Sequence, residues 1–201
     1  MRQAFFNLKN TELYKISTSE KKILADTLTP VSIYLKIRDK FSNSLLLESS
    51  DYGANDNSYA YVCFNPIAEI SVENNFIIKS FPDGKKEKIK IKENINVVDE
   101  IDKFFKLFEC KKNDKKFLNN GVFGYMSYDS VKHFENIDLK TKKNDIQIPE
   151  IYYAFYSNII VINEFNNEAI LFHHSFNKPN NLDIIFDYIN SNKTTKYPFL
   201  K

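Results

Sequence analysis

The chain has 201 residues, of which 43% are hydrophobic and 27% are charged, so it is long enough to bury a sizeable core. Its 28 Lys and Arg nearly balance its 26 Asp and Glu, which argues against a nucleic-acid or anionic-membrane partner. Two distant cysteines, Cys63 and Cys110, and the lack of any long apolar run argue against a disulfide framework, a zinc site and a membrane span, and they predict a cytoplasmic location.

The first predicted elements are a helix and a short strand. Thr29 and Pro30 form a typical helix start, with Thr as N-cap and Pro at the first helical position, and apolar residues at helical spacing carry the helix to about Lys40. The run 44–47 is too short for a core helix and is bounded by polar residues. We therefore expect a buried strand that leads directly into Glu48.

The next segment, 59–92, is predicted to be an antiparallel meander of short strands. Aromatic and β-branched residues alternate there with turn formers such as Asn65-Pro66, Asn74-Asn75 and Asp83-Gly84. The strands expected from this pattern are 59–64, 68–72, 76–81 and 88–92.

A helix and a second set of strands are predicted for the rest of the chain. Apolar residues at helical spacing predict an amphipathic helix over 96–110. Further on, 121–128 is expected to form a strand, followed by a short helix through Val131 and Phe134. The remaining predicted elements are a hairpin of 150–162 with 168–176, turned by Asn166-Asn167, and a helix over 182–189.

These elements predict an α+β fold in which antiparallel β-sheets, sandwich-like in arrangement, have helices packed outside them. We assign residues 1–190 to one domain. Residues 191–201 form a polar tail that contains Pro198 and no packing pattern, which is typical of a linker to a further domain.

Catalytic signatures are missing from the sequence. It has no GxSxG, GxxxxGK, GxGxxG, HExxH or zinc-type cysteine set, so we predict neither a catalytic residue nor a metal ligand in this chain. His173 and His174 are adjacent on a predicted strand and therefore point to opposite faces, which prevents them from holding one ion together. The carboxylates of Glu48, Asp51, Asp129 and Glu135 cannot be paired as acid and base from spacing alone.

An ordered series of motifs nevertheless resembles a known family. The series begins with Thr29-Pro30-Val31, continues with Leu46-Leu47-Glu48-Ser49 and the segment 58–66, and ends with the segment 124–129 followed by Ile148-Pro149. In order and spacing it is similar to the amino-terminal region of anthranilate synthase component I. The resemblance runs from about Thr11 to Phe176, although this chain has Ser58-Tyr59-Ala60-Tyr61 where the family often has Arg-Tyr-Ser-Phe.

The resemblance implies a binding site for L-tryptophan, the feedback inhibitor. The family's Leu-Leu-Glu-Ser element lines that site, which carries onto Glu48 and Ser49, and the tyrosine of the following strand carries onto Tyr59. This implication fits simple chemistry, because an amino acid needs an acceptor for its ammonium group, a hydroxyl or amide partner and an apolar slot. A structural role of Glu48 and Ser49 in ending a strand and capping a turn is the alternative.

The resemblance also implies partners beyond this chain. The full-length enzyme would convert chorismate and ammonia into anthranilate and pyruvate, with a chorismate-binding carboxy-terminal domain that needs Mg²⁺ and with a glutamine amidotransferase subunit (component II). We expect no cofactor and no catalysis in the present chain. Two alternatives stay open: component I of aminodeoxychorismate synthase in the folate pathway, and a stand-alone ligand-binding module.

Overall fold

A computed structural model describes residues 13–48, 58–111, 115–135, 137, 148–178 and 182–191. Within these ranges the chain forms nine strands, three α-helices and one 3₁₀ helix. In chain order they are β1 (Tyr14–Leu24), α1 (Pro30–Arg38), β2 (Leu45–Leu47), β3 (Tyr59–Glu73), β4 (Phe76–Ser80), β5 (Lys86–Lys90), α2 (Val97–Phe105), β6 (Phe108–Cys110), β7 (Val122–Met126), the 3₁₀ helix (Tyr128–His133), β8 (Ile151–Asn163), β9 (Glu168–Ser175) and α3 (Leu182–Asn190).

The described strands join into one sheet that is antiparallel except at one edge. The order is β5-β4-β3-β8-β9-β1-β6, with β2 paired to β3 and β7 paired to β8, and the β1–β6 pair is parallel. The two long central strands, β3 and β8, connect the halves of the sheet. Along the edge of β8 that faces away from β3, the start of the strand pairs with β7 and its end pairs with β9. The single strand β8 therefore belongs to both halves of the sheet. The predicted α+β class with mainly antiparallel strands is confirmed.

Apolar side chains cover both faces of the sheet. Along β3, Val62 and Phe64 belong to a cluster under α1 and α3, whereas Tyr61 and Cys63 belong to a cluster on the opposite face. We call the second group the aromatic-face cluster. Its buried members are Cys63, Phe123, Ala154, Tyr156, Ile159, Val161 and Phe172, and Leu45, Leu47, Tyr59, Tyr61 and Phe117 pack against them.

The helices are placed by their caps and by their buried faces. At the start of α1 the Thr29 side chain accepts a hydrogen bond from the Ser32 amide, and the Ser32 hydroxyl accepts one from the Thr29 amide, as expected for a capping box. Ile33 and Ile37, one helical turn apart, are fully buried against the sheet. Asn96 caps α2 through its side-chain oxygen, which accepts from two amides of the first turn.

An ion pair between a buried lysine and a half-buried glutamate fastens α2 to the sheet. Lys79 of β4 places its Nζ 2.6 Å from Oε2 of Glu100, and Lys103 lies 2.6 Å from the other carboxylate oxygen. Burial alone would raise the pKa of Glu100, but the hydrogen bonds and charges of the two lysines outweigh burial and hold that pKa below its usual value.

Besides shifts of one or two residues at element ends, three sequence predictions differ from the observed elements. The predicted strands 59–64 and 68–72 are one strand, β3, with a bulge between Pro66 and Ala68 that tolerates the missing proline amide. The predicted helix 96–110 ends at Phe105, because residues 108–110 form β6 and pair with the start of β1. Strand β1 is absent from the predicted elements, since its outward positions are mostly Lys, Ser and Glu.

The domain boundary predicted at residue 190 stays a prediction. The predicted linker 191–201 lies outside the described residues, apart from Ser191. Within the part of the chain that the structure covers, no helix has both the length and the apolar character needed to span a membrane.

Candidate functional site

The predicted site lies where β2 ends beside the beginning of β3. Glu48 directly follows Leu47, whose cross-strand partner is Tyr61, and Tyr59 is two residues before Tyr61 on the antiparallel neighbour. Glu48 and Tyr59 are therefore at the same end of the β2–β3 pair. The side chain of Glu48 is exposed and that of Tyr59 is half-buried. Ser49, the third predicted residue, lies outside the described residues.

Tyr59 belongs to a row of neighbouring rings in the aromatic-face cluster. Its ring centroid is 5.1 Å from that of Phe117, which in turn is 6.1 Å from Phe172. On the next position of the same face, Tyr61 lies 5.6 Å from Phe123, and burial raises the pKa of the Tyr61 hydroxyl. This end of the sheet therefore combines the half-buried ring of Tyr59 on the aromatic-face cluster with the exposed side chain of Glu48 just after β2.

Two cavities occur elsewhere in the described part of the molecule, and neither Glu48 nor Tyr59 lines them. One, of about 280 Å³, lies at the bulge of β3 and is bordered by Asn65, Ser157, His173 and His174. The other, of about 1030 Å³, is an open groove around Tyr14 and Phe81. Tyr59 therefore lies in the aromatic-face cluster, away from both of these cavities.

The adjacent histidines have separate structural partners. Nε2 of His174 donates to the carbonyl of Asn119 at 2.8 Å, and its Nδ1 accepts from the hydroxyl of Thr18 at 2.9 Å. Burial lowers the pKa of His174 to about 4, so the ring is neutral near pH 7. Nδ1 of His173 lies 2.8 Å from Oδ1 of Asn158.

The comparisons with known proteins give a consistent family. No protein-family model matches the sequence. The chain is 26% identical to anthranilate synthase component 1 of Aquifex aeolicus (strain VF5) over 156 residues, and 25% identical to that of Lactococcus lactis subsp. lactis (strain IL1403) over 157 residues. It is also 26% identical to anthranilate synthase component 1 of Acetivibrio thermocellus over 150 residues. The chain resembles anthranilate synthase component 1.

The match to anthranilate synthase component 1 covers a much larger share of this chain than of the relatives. The aligned segments cover 78%, 76% and 74% of this chain, but only 31%, 31% and 29% of the three relatives. Among solved structures, anthranilate synthase component I from Streptococcus pneumoniae TIGR4 is similar, with a TM-score of 0.48 and 18% identity over 87% of this chain and 36% of that chain. The three sequence matches confirm the resemblance inferred from the motifs.

One polar cluster was missed by the sequence analysis and has no counterpart among the motifs that resemble anthranilate synthase component 1. Nε2 of His133, on the 3₁₀ helix, lies 2.7 Å from one oxygen of Glu150, and Lys132 lies 2.6 Å from the other. Burial would raise the pKa of Glu150, but Lys132 and His133 hold it below its usual value. Seventeen residues separate His133 from Glu150, so no local spacing could have predicted their contact.

The described residues contain neither a metal centre nor an activated thiol. Across the described ranges, no group of three or more His, Cys, Asp or Glu side chains is placed to hold a metal ion. Both cysteines are free thiols, and burial raises the pKa of Cys63 above its usual value and that of Cys110 to about 11. Neither thiol is therefore activated as a nucleophile at neutral pH.

Proposed function

We propose that this chain is the amino-terminal, tryptophan-binding part of an anthranilate synthase component 1. The observation that carries the proposal is the sequence similarity to three relatives of that name over about three quarters of the chain. All three are much longer than the aligned segment. The reaction of the whole enzyme, chorismate and ammonia to anthranilate and pyruvate, is therefore proposed for the parent protein and not for this chain.

The proposed site uses three kinds of contact. The carboxylate of Glu48 accepts hydrogen bonds from the ammonium group of L-tryptophan, and the hydroxyl of Ser49 binds a second polar atom of the amino acid. The ring of Tyr59, supported by Phe117 at 5.1 Å, provides an apolar surface for the indole. In this division of labour the chain senses the end product, while the Mg²⁺-dependent chemistry and the contact with the amidotransferase subunit belong to the carboxy-terminal part.

The composition of the chain allows a direct binding test. The protein contains 12 Tyr and no Trp, so fluorescence excited beyond the tyrosine absorption band comes from the ligand alone. The anisotropy of L-tryptophan should rise on addition of the 201-residue protein and should saturate. Indole-3-propionate, which has the same ring but no ammonium group, should bind at least tenfold more weakly, since a hydrogen bond to a charged group is worth about 1.5–3 kcal/mol.

Variants separate the ammonium contact from general effects on the fold. Glu48→Gln should remove the preference for L-tryptophan over indole-3-propionate, and Ser49→Phe should abolish binding of both. Glu93→Gln, which changes another exposed carboxylate, is the matched control and should keep the wild-type preference. If wild-type protein does not bind L-tryptophan, or if Glu48→Gln keeps the full preference, the proposed site is wrong.

A second experiment tests the reaction assigned to the parent enzyme. The full-length protein with chorismate, ammonia and Mg²⁺ should release anthranilate, and the present chain alone should release none. Formation of aminodeoxychorismate would instead assign the parent to the folate pathway. Anthranilate production by the purified chain would overturn the proposed division of labour.

A further inference from the structure

The strand that leads to the proposed site has a sequence that does not define its own register. Leu45 and Leu47 face the aromatic-face cluster, and Leu46 packs on the opposite cluster under α1. Because all three residues are leucine, a slip by one position would leave leucine on both faces. In an antiparallel pair such a slip moves each side chain to the other face of the sheet. For β2 the slip would mainly displace Glu48, the residue that comes directly after the strand.

Two contacts just before β2 hold the chain from both sides. Phe41 places its ring 4.9 Å from that of Phe64 on the face covered by α1 and α3. Asn43, which has a left-handed backbone with φ of 51°, donates from Nδ2 to Oε1 of Glu69 at 2.7 Å. Strand β2 begins at Leu45, only two residues after Asn43, so this hydrogen bond limits how far β2 can slide along β3.

Glu69 is itself held in place from the central strand β8. The hydroxyl of Tyr152 donates to the same oxygen, Oε1, at 2.6 Å, and the Tyr152 ring lies 6.0 Å from that of Tyr125 on β7. Glu69 is half-buried, and its backbone position on β3 opposes Ala154 of β8. One carboxylate oxygen thus joins the turn before β2 to the long central strand β8.

We propose that Glu69, held by Tyr152 and bonded to Asn43, fixes the register of β2 and is therefore a positioning residue for the site at Glu48. The register itself follows from the contacts around β2, whereas the consequence for ligand binding rests on the proposed function. Neither Asn43 nor Tyr152, the two side chains that donate to Glu69, is assigned to the ligand. The effect of Glu69 is exerted entirely through the placement of β2.

Amide hydrogen exchange tests the register directly. Asn43→Gly removes the side-chain donor but keeps a residue that adopts positive φ freely. Exchange of the protected amides within Leu45–Leu47 should become at least fivefold faster, while the amides of β8 keep their wild-type rates. Asn74→Gly is the matched control, because Asn74 also has a left-handed backbone, with φ of 50°, in the turn between β3 and β4. It should leave β2 unchanged.

A remote variant separates positioning from a local effect on the turn. Tyr152→Phe removes only the hydroxyl that holds Glu69, yet it should also speed exchange in β2. Glu69→Ala should do the same, and Glu69→Gln, which keeps an acceptor oxygen, should restore part of the protection. Nuclear Overhauser contacts between Leu46 and Val62, the observed partners, should weaken in parallel.

The outcomes distinguish this proposal from the proposed function. If β2 exchanges at the wild-type rate in both Asn43→Gly and Tyr152→Phe, or if Asn74→Gly loosens β2 equally, Glu69 does not set the register. If the register changes as expected and wild-type protein binds L-tryptophan, both variants should weaken binding about fivefold or more. Failure of wild-type protein to bind L-tryptophan would refute the function, while the exchange rates would still decide the role of Glu69.

Discussion

The β3–β8 pair and the β2–β3 pair show two ways in which one sheet fixes its strands. β3 and β8 pair from Tyr59 and Asn163 at one end to Val72 and Ile151 at the other, and most of β8 is buried on both faces. β2 has three residues, all half-buried, and among the described strands it pairs with β3 alone. The centre is thus held by many buried side chains, whereas the edge strand beside the proposed site depends on a few specific contacts.

The difference between the two strand pairs follows from how much of the core each pair carries. A core strand loses stability with any slip, because every buried side chain would move to the wrong face. An edge strand that borders a ligand site carries little of the core and can be adjusted at small cost. Loops and edges supported by a rigid centre are where binding residues commonly lie.

The largest expected effect comes from removing a ring at the centre. Phe64 is fully buried against Phe41 and the helices, so Phe64→Ala should lower the free energy of unfolding by about 3–5 kcal/mol. Leu45→Ala, on half-buried β2, should lower it by less than half as much. Urea denaturation of both variants measures the two values. Equal losses would contradict the distinction between a packed centre and a lightly held edge.

A smaller effect, confined to acidic pH, is expected from the buried His174. Its pKa is about 4 in the folded protein against an ordinary value of 6.5, so the unfolded chain binds the proton first as the pH falls. Stability contributed by neutral His174 is therefore complete above pH 6.5 and is lost progressively down to about pH 4, amounting to about 3 kcal/mol. Urea denaturation between pH 7 and pH 4 should show this decline.

His174→Gln provides the comparison for the pH experiment. The variant keeps a side chain able to donate and accept hydrogen bonds but cannot titrate, so its stability should fall less steeply between pH 6.5 and pH 4. Acidic groups such as Glu100 and Glu150, whose pKa values are lowered from the ordinary 4.5, begin to lose their contributions only as the pH approaches that value, and they do so equally in both proteins. Identical slopes in wild-type and variant protein would show that His174 is not responsible.

Sequence patterns predicted the elements that local chemistry defines. The Thr29-Pro30 cap, the apolar spacing of α2 and α3 and the turn at Asn166-Asn167 all marked real elements. The patterns failed where a distant partner decides the structure. Residues 108–110 continue a helical pattern, but Phe108 packs on Tyr14 and Phe155, and the backbone pairs with β1 instead.

The candidate site shows the same division between local and distant information. Glu48, Ser49 and Tyr59 were found through a resemblance of short motifs, and the pairing of β2 with β3 brings Glu48 and Tyr59 to one end of the sheet. Glu69 gave no signal, because it is 26 residues from Asn43 and 83 from Tyr152 along the chain. Only the folded backbone brings these three side chains together.

Mapping L-tryptophan onto the protein by NMR tests the central claim most directly. Titration of the ¹⁵N-labelled 201-residue chain should give saturable shifts for amides around Leu47, Glu48 and Tyr59 to Tyr61, and wild-type positions elsewhere in the sheet. Shifts centred instead on the cavity bordered by His173 and His174, or no shifts at millimolar ligand, would contradict an amino-acid site at the end of β2.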